Sequence, residues 1–154
     1  MSDRTAVLFV CLGNICRSPM AEGVLQHLVE RRGIGDRYRV ESAGTAAYHV
    51  GEPPDPRTLD VLRRNGIALR SYARQVRDSD FDEFDWILAM DQSNFRTLMR
   101  RCPDHRVGRV HKTLELMGGG DVSDPYYGGP DGFDTNYAEL VEALEAWLDR
   151  WESP

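Results

Sequence analysis

The sequence predicts an α/β fold: a single domain with four parallel strands in one sheet and helices on both faces. Three observations carry this. Ala6-Val7-Leu8-Phe9-Val10 and Trp86-Ile87-Leu88-Ala89-Met90 are unbroken apolar runs, the pattern of strands covered on both sides. Segments with apolar residues at helical spacing alternate with the strand candidates. The 154 residues fit one domain, and no repeat, linker or low-complexity tail divides them.

The first strand candidate, residues 6–10, runs into Cys11-Leu12-Gly13-Asn14-Ile15-Cys16-Arg17-Ser18-Pro19, and a helix follows. Ser18 is a good N-cap, and Pro19 suits the first helical position, where a missing N–H costs nothing. Met20, Val24, Leu25, Leu28 and Val29 give this helix an apolar stripe that Gly33 can close. Tyr38 to Ser42 reads as a second strand. Asp55-Pro56 repeats the cap-plus-proline start, Leu59 and Leu62 supply the buried face, and Asn65-Gly66 stops that helix. Residues 86–90 form the third strand, and a helix beginning near Ser93 carries Phe95, Leu98 and Met99 as far as Cys102-Pro103. Arg106 to Val110 is a weaker fourth strand. The last helix runs from about Asn136 to Trp151, with Leu140, Val141, Leu144, Trp147, Leu148 and Trp151 at helical spacing. Repeated strand-then-helix units imply right-handed crossovers and hence a parallel sheet. Residues 118–134 break the rhythm with six Gly, two Pro and four Asp and no period, the mark of a functional or disordered loop.

Composition narrows the function. Hydrophobic residues make up 41% and charged ones 29%, which argues against disorder. With 19 Lys+Arg against 25 Asp+Glu the chain carries a formal charge of −6, ill suited to nucleic acid. No apolar run approaches the roughly 18 residues of a spanning helix, so no membrane partner is expected. Met1-Ser2-Asp3-Arg4 opens no signal-peptide pattern, and three cysteines make an unlikely disulfide framework. A reducing cytoplasm is the expected location.

The segment from Cys11 to Pro19 lies where open parallel sheets bind ligands, between a strand end and a helix start. A turn containing Gly13 can aim several N–H groups inward as an anion nest, and the helix beginning near Ser18 adds its own free N–H groups and positive dipole end. Arg17 contributes a planar fork matched to two phosphate oxygens. Cys11 stands at the strand end, where that field favours the thiolate. A thiolate on the floor of a phosphate nest suggests displacement at phosphorus through a phosphocysteine. This is no Walker A loop, because no Gly-Lys-Ser/Thr follows, and C-x4-C without a second pair is a weak zinc signal.

The leaving oxygen needs a proton, and the long loop offers Asp124-Pro125-Tyr126-Tyr127. An Asp before Pro is held extended, and beside a bound phosphate dianion its carboxyl can carry the proton of a general acid. Asp121, Asp131 and Asp134 compete in the same loop, and sequence physics gives Asp124 only a modest edge.

The residues from Cys11 to Pro19, with the distant Asp124-Pro125-Tyr126-Tyr127, resemble the low-molecular-weight protein tyrosine phosphatases. The likeness extends through Ser42-Ala43-Gly44-Thr45, Ala73-Arg74-Gln75 and Met90-Asp91, nearly the whole chain. It implies a Rossmann-like four-stranded parallel sheet and cleavage of phosphotyrosine in two steps without metal or other cofactor. Cys11 would be the nucleophile, Arg17 the phosphate clamp and Asp124 the acid, then the base. Leu12, Gly13, Asn14, Ile15, Cys16 and Ser18 would complete the phosphate nest, which would also take inorganic phosphate and other oxyanions. Ser18 would hydrogen-bond the thiolate. Asn14 and Ser42 would fix the nest, and Asp91 would brace it from behind. Tyr48, Tyr126 and Tyr127 would wall the pocket mouth, where a phosphotyrosine ring can stack and a short phosphoserine cannot reach the thiolate. Cys16 would form a reversible disulfide with Cys11 under oxidation. The implied partner is a phosphotyrosine protein such as a tyrosine kinase.

One departure concerns Ser71, which stands where many relatives carry a His supporting the nest asparagine. Three other readings fit the residues less well. Arsenate reductases of the same fold pass a disulfide along two further cysteines near positions 75–95, and none lies between Cys16 and Cys102. The arginine phosphatase branch favours Thr at the fifth nest position, where Ile15 should crowd a phosphoguanidinium. A phosphate-binding regulator would not need the Cys11 and Asp124 that this chain keeps.

Overall fold

Alternation along the first strand sets the layers of the structure, a computed structural model that describes residues 4–126, 129 and 131–154. Strand β1 (Thr5–Cys11) sends Val7, Phe9 and Cys11 to one face and Ala6, Leu8 and Val10 to the other. The first face packs against α1 (Arg17–Arg31), α2 (Pro56–Arg64) and α5 (Asp131–Trp151), through Met20, Val24, Leu62, Leu144 and Trp147 among others. The second face packs against α3 (Asp80–Glu83) and α4 (Gln92–Arg101), through Phe81 and Leu98. Burial on both sides explains why β1 is apolar at successive positions rather than alternating.

Among the described residues, β1 joins β2 (Tyr38–Gly44), β3 (Trp86–Ala89) and β4 (Val110–Lys112) in one parallel sheet of order β2-β1-β3-β4. The register sets Cys11 beside Gly44, and Val10 beside Ala89. The chain leaves β1 first toward β2 and later toward β3 on the opposite side. Between β1 and β3 the order therefore reverses, which opens a crevice at the carboxyl ends of the strands. The loop after Cys11 and the residue after Met90 both face that crevice. No helix among the described residues is long and apolar enough to cross a membrane.

Local signals were sound for α2, where the Asp55 side chain accepts from the Arg57 N–H and Pro56 opens the helix. Other boundaries need correcting. Helix α1 begins at Arg17 with Cys16 at its N-cap and no side-chain cap, so Ser18 is not the cap but lies inside the first turn. Helix α4 begins at Gln92 and is capped by Asp91, which accepts from the Asn94 N–H. Helix α5 starts at Asp131, earlier than Asn136, because Phe133 and Asn136 are buried in its first turns. Asp104–Arg109 is a 3-10 helix, and β4 lies beyond it. Three residues with little apolar content become a strand there because Val110, His111 and Lys112 pair with β3.

Candidate active site

The loop from β1 to α1 is held from outside by its own carbonyls. Thr45 N–H donates to Cys11 O (2.9 Å), Ala46 N–H to Leu12 O (2.9 Å), Asp55 N–H to Ile15 O (2.8 Å) and Met20 N–H to Cys16 O (3.2 Å). With these carbonyls turned outward, the peptide units between them present N–H groups to the concave side. Asn14 takes the left-handed conformation (φ 58°), which asparagine tolerates better than most residues. Its N–H points to Cys11 Sγ at 3.3 Å. Across the loop, a Cβ on Gly44 would sit 2.7 Å from the Leu12 carbonyl oxygen, so only glycine lets β2 approach this closely.

Asn14 also sets the direction of a buried hydrogen-bond chain. The Arg74 N–H can only donate, and it bonds Asn14 Oδ1 at 3.0 Å, which turns Nδ2 toward Ser18 Oγ and Ser42 Oγ, both at 2.9 Å. Each serine, accepting from Asn14, keeps its own proton for another partner. Ser18 Oγ lies 3.0 Å from Cys11 Sγ, and Ser42 donates to Glu22 Oε1 at 2.5 Å. Ser71 donates to the same glutamate oxygen at 3.1 Å. Glu22 was not singled out from sequence. The available signal was a carboxylate one helical turn beyond Ser18, and therefore on the same face.

Burial pushes the Glu22 carboxyl above its ordinary 4.5, against the hydrogen bonds from Ser42 and Ser71. A carboxyl raised on folding contributes stability that is complete below the unfolded value and is lost as pH rises through the folded one. Glu22→Gln keeps Oε1 as acceptor and removes the charge. The variant is therefore expected to melt with wild type near pH 4.5 and increasingly above it as the pH rises, as thermal melts from pH 4.5 upward would show.

Arg17 is 3% exposed and has two of its donors already committed. Nη1 donates to Asp91 Oδ2 (2.8 Å) and to the Val122 carbonyl (2.9 Å), which leaves the Nε and Nη2 edge for an oxyanion. Asp91 does two jobs, since its other oxygen caps α4 through the Asn94 N–H at 2.7 Å. Nη2 of Arg17 lies 3.7 Å from Asp124 Oδ2. Asp124 in turn accepts the Tyr126 N–H on Oδ1 at 3.0 Å, a turn that aims Oδ2 inward. The stem of this loop is tied by Val122 N–H to Met90 O (2.8 Å) and by Asp121, which meets Lys112 Nζ at 2.6 Å and the Gln92 N–H at 3.1 Å. The Lys112 bond holds the Asp121 carboxyl below its ordinary range.

Cys11, Arg17 and Asp124 thus converge on one cavity of about 350 Å³, lined also by Leu12, Gly13, Ile15 and Cys16, with Tyr48, His49 and Tyr126 at its rim. Tyr48 is 76% exposed at the mouth. Tyr127 lies outside the described residues. His49, missed by sequence reasoning although it adjoins Tyr48, packs over Gly13 and has Nδ1 3.0 Å from Glu52 Oε2. Cys11 and Cys16 are both buried and unpaired. Burial, reinforced by Asp55, Cys11 and Asp124, pushes the Cys16 thiol up to about 12. Cys102 is buried at the far end of α4, against Pro103.

The family model described as low molecular weight phosphotyrosine protein phosphatase matches residues 6–153. The chain belongs to that family. It is 48% identical over 152 residues to the low molecular weight phosphotyrosine protein phosphatase of Schizosaccharomyces pombe, a match covering 96% of this chain and 97% of the relative. The fold agrees with solved phosphatases of this kind. A protein tyrosine phosphatase from Entamoeba histolytica with Hepes in its active site superposes with a TM-score of 0.92 at 38% identity, covering 96% of this chain and 97% of the other. A drosophila arginine phosphatase gives 0.89 at 34% identity, covering 96% and 98%. Within the phosphotyrosine phosphatase family, the residues of the cavity described above are the natural candidates for catalysis.

Proposed function

We propose that this phosphatase removes phosphate from tyrosine side chains of proteins through a phosphocysteine on Cys11. The observation that carries the reading is the convergence of the Cys11 thiol, the free edge of Arg17 and the Asp124 carboxyl on one cavity. In the first step the thiolate attacks phosphorus, an S–P bond forms, and the bond to the tyrosine oxygen breaks. Asp124 gives its proton to that oxygen, while Arg17 Nε–H and Nη2–H and the nest amides hold the phosphoryl oxygens. In the second step Asp124, now a carboxylate, takes a proton from water as the water oxygen attacks phosphorus and the S–P bond breaks. Ser18, whose hydroxyl is 3.0 Å from Sγ, hydrogen-bonds the departing thiolate. Asn14, Ser42 and Asp91 hold the nest and Arg17 in place through the bonds described.

Because Sγ lies at the buried end of the cavity, phosphorus must arrive on a long, flat side chain. Tyr48 and Tyr126 at the rim suit a phenyl ring, and Tyr127, by its neighbouring place in the chain, would join them. Ile15 lines the cavity and packs against the core, which leaves less room for the broader phosphoguanidinium. The test is steady-state hydrolysis of phosphotyrosine, phosphoserine and phosphoarginine peptides side by side. Turnover of phosphotyrosine alone is expected; equal or faster turnover of phosphoarginine would overturn the substrate assignment.

Two features of setting follow from the same site. The natural partner is a phosphotyrosine protein, a tyrosine kinase among them, and inorganic phosphate occupies the nest as product. A thiolate nucleophile calls for a reducing compartment such as the cytoplasm. Under peroxide, Cys11 would become a sulfenic acid with loss of water, and condensation with the protonated Cys16 thiol would release a second water and leave a disulfide.

A further inference from the structure

We propose that Arg57 is a positioning residue for the general acid: it clamps the Tyr126 end of the Asp124 loop to the segment that braces the phosphate nest. The inference rests on Asp124 being that acid. Arg57 stands in the first turn of α2 and does not line the cavity. Its Nε and Nη2 grip the Asp55 carboxylate side-on, at 3.0 and 2.9 Å. Asp55 is itself fixed, with its side chain 8% exposed and its N–H on the Ile15 carbonyl of the nest loop. With one edge held, the guanidinium plane offers its surface to two rings. Its carbon lies 4.6 Å from the centroid of buried Phe133 in α5 and 5.5 Å from that of Tyr126.

Tyr126 passes this placement on, because its N–H bonds Asp124 Oδ1. At the other end the loop is pinned independently by Asp121 and Val122. The three residues between Val122 and Tyr126, the ring Arg57 touches, are therefore a short span held at both ends, with Asp124 inside it. A lysine could keep the charge but not the side-on fork and the stacking face together. Removing either would let the carboxyl drift from the leaving oxygen while the nest stays as it is.

The experiment compares phenyl phosphate, a poor leaving group that needs a proton, with p-nitrophenyl phosphate, a good one that does not. kcat/KM covers every step up to departure of the phenol. Arg57→Met and Arg57→Lys are expected to lower kcat/KM for phenyl phosphate by about tenfold and for p-nitrophenyl phosphate by no more than about twofold, with inhibition by inorganic phosphate unchanged. In an Asp124→Asn background, Arg57→Met should not change the ester ratio further. Equal losses on both esters with weaker phosphate inhibition would overturn the proposal, as would no loss on either, full activity of Arg57→Lys, or an additive effect in the Asp124→Asn background. An unchanged ester ratio for Asp124→Asn by itself would instead remove the acid assignment on which the proposal stands.

Discussion

Cys11→Ser is expected to lower turnover of a phosphotyrosine peptide by about four orders of magnitude or more while leaving phosphate binding intact. The substitution changes one atom in a closed setting. Cys11 is 3% exposed at the end of β1, opposite Gly44, and the smaller hydroxyl fits the same place. The outward carbonyl bonds of the loop and the Asn14 contacts to Ser18 and Ser42 do not involve the sulfur, so the nest persists. A serine hydroxyl has no base to take its proton in the first step: Ser18, accepting from Asn14, turns its own proton toward this position, Arg17 is a cation, and Asp124 holds the proton meant for the leaving oxygen. Without an alkoxide there is no attack on phosphorus. Titration calorimetry with inorganic phosphate and steady-state kinetics on the same preparation would check both halves. Residual turnover near one per cent of wild type would show that another group attacks.

Asp124→Ala should reduce kcat on the same peptide by about 10²–10⁴-fold, the usual range for a positioned proton donor. It acts twice, protonating the tyrosine oxygen in the first step and taking a proton from water in the second, so no choice of leaving group fully rescues turnover. Binding of inorganic phosphate should not weaken, because a negative charge 3.7 Å from Arg17 Nη2 is removed. The other loop carboxylates serve as controls. Asp121 is committed to Lys112 and the Gln92 N–H, and Asp134 pairs with Arg64, so neither reaches the cavity. Asp134→Ala is expected to leave kcat within about twofold, since exposed ion pairs contribute little. A larger loss from Asp134→Ala than from Asp124→Ala would reverse the assignment.

The carboxylates show where sequence reading reaches its limit. Four Asp residues share the loop, and propensity favours Asp124 only through the following proline. What separates three of them is where Lys112, Arg64 and Arg17 arrive from other elements, and the two arginines lie far away along the chain. Ser18 gives the opposite lesson. Serine before proline reads as a helix cap, yet its hydroxyl is drawn into the crevice because Asn14 and Cys11 converge on it from the loop. Glu22 looks like the polar face of α1 until Ser42 and Ser71, from two distant segments, meet its carboxyl.

Periodicity and turn chemistry alone show that buried strands alternate with helices, that Cys11 to Pro19 joins the first strand to the first helix, and that the glycine-rich segment is special. Such features depend on residues close together in the chain, whose periodicity and turn chemistry are local. The family likeness follows from the same contiguous motifs. It takes the folded chain to show that β4 is Val110–Lys112, that Asp124 faces Arg17, and that Arg57 joins Asp55, Phe133 and Tyr126. Each of those is settled by which groups meet once separate elements pack, β4 on β3 and α2 on α5 among them, and a one-dimensional pattern holds no record of that encounter.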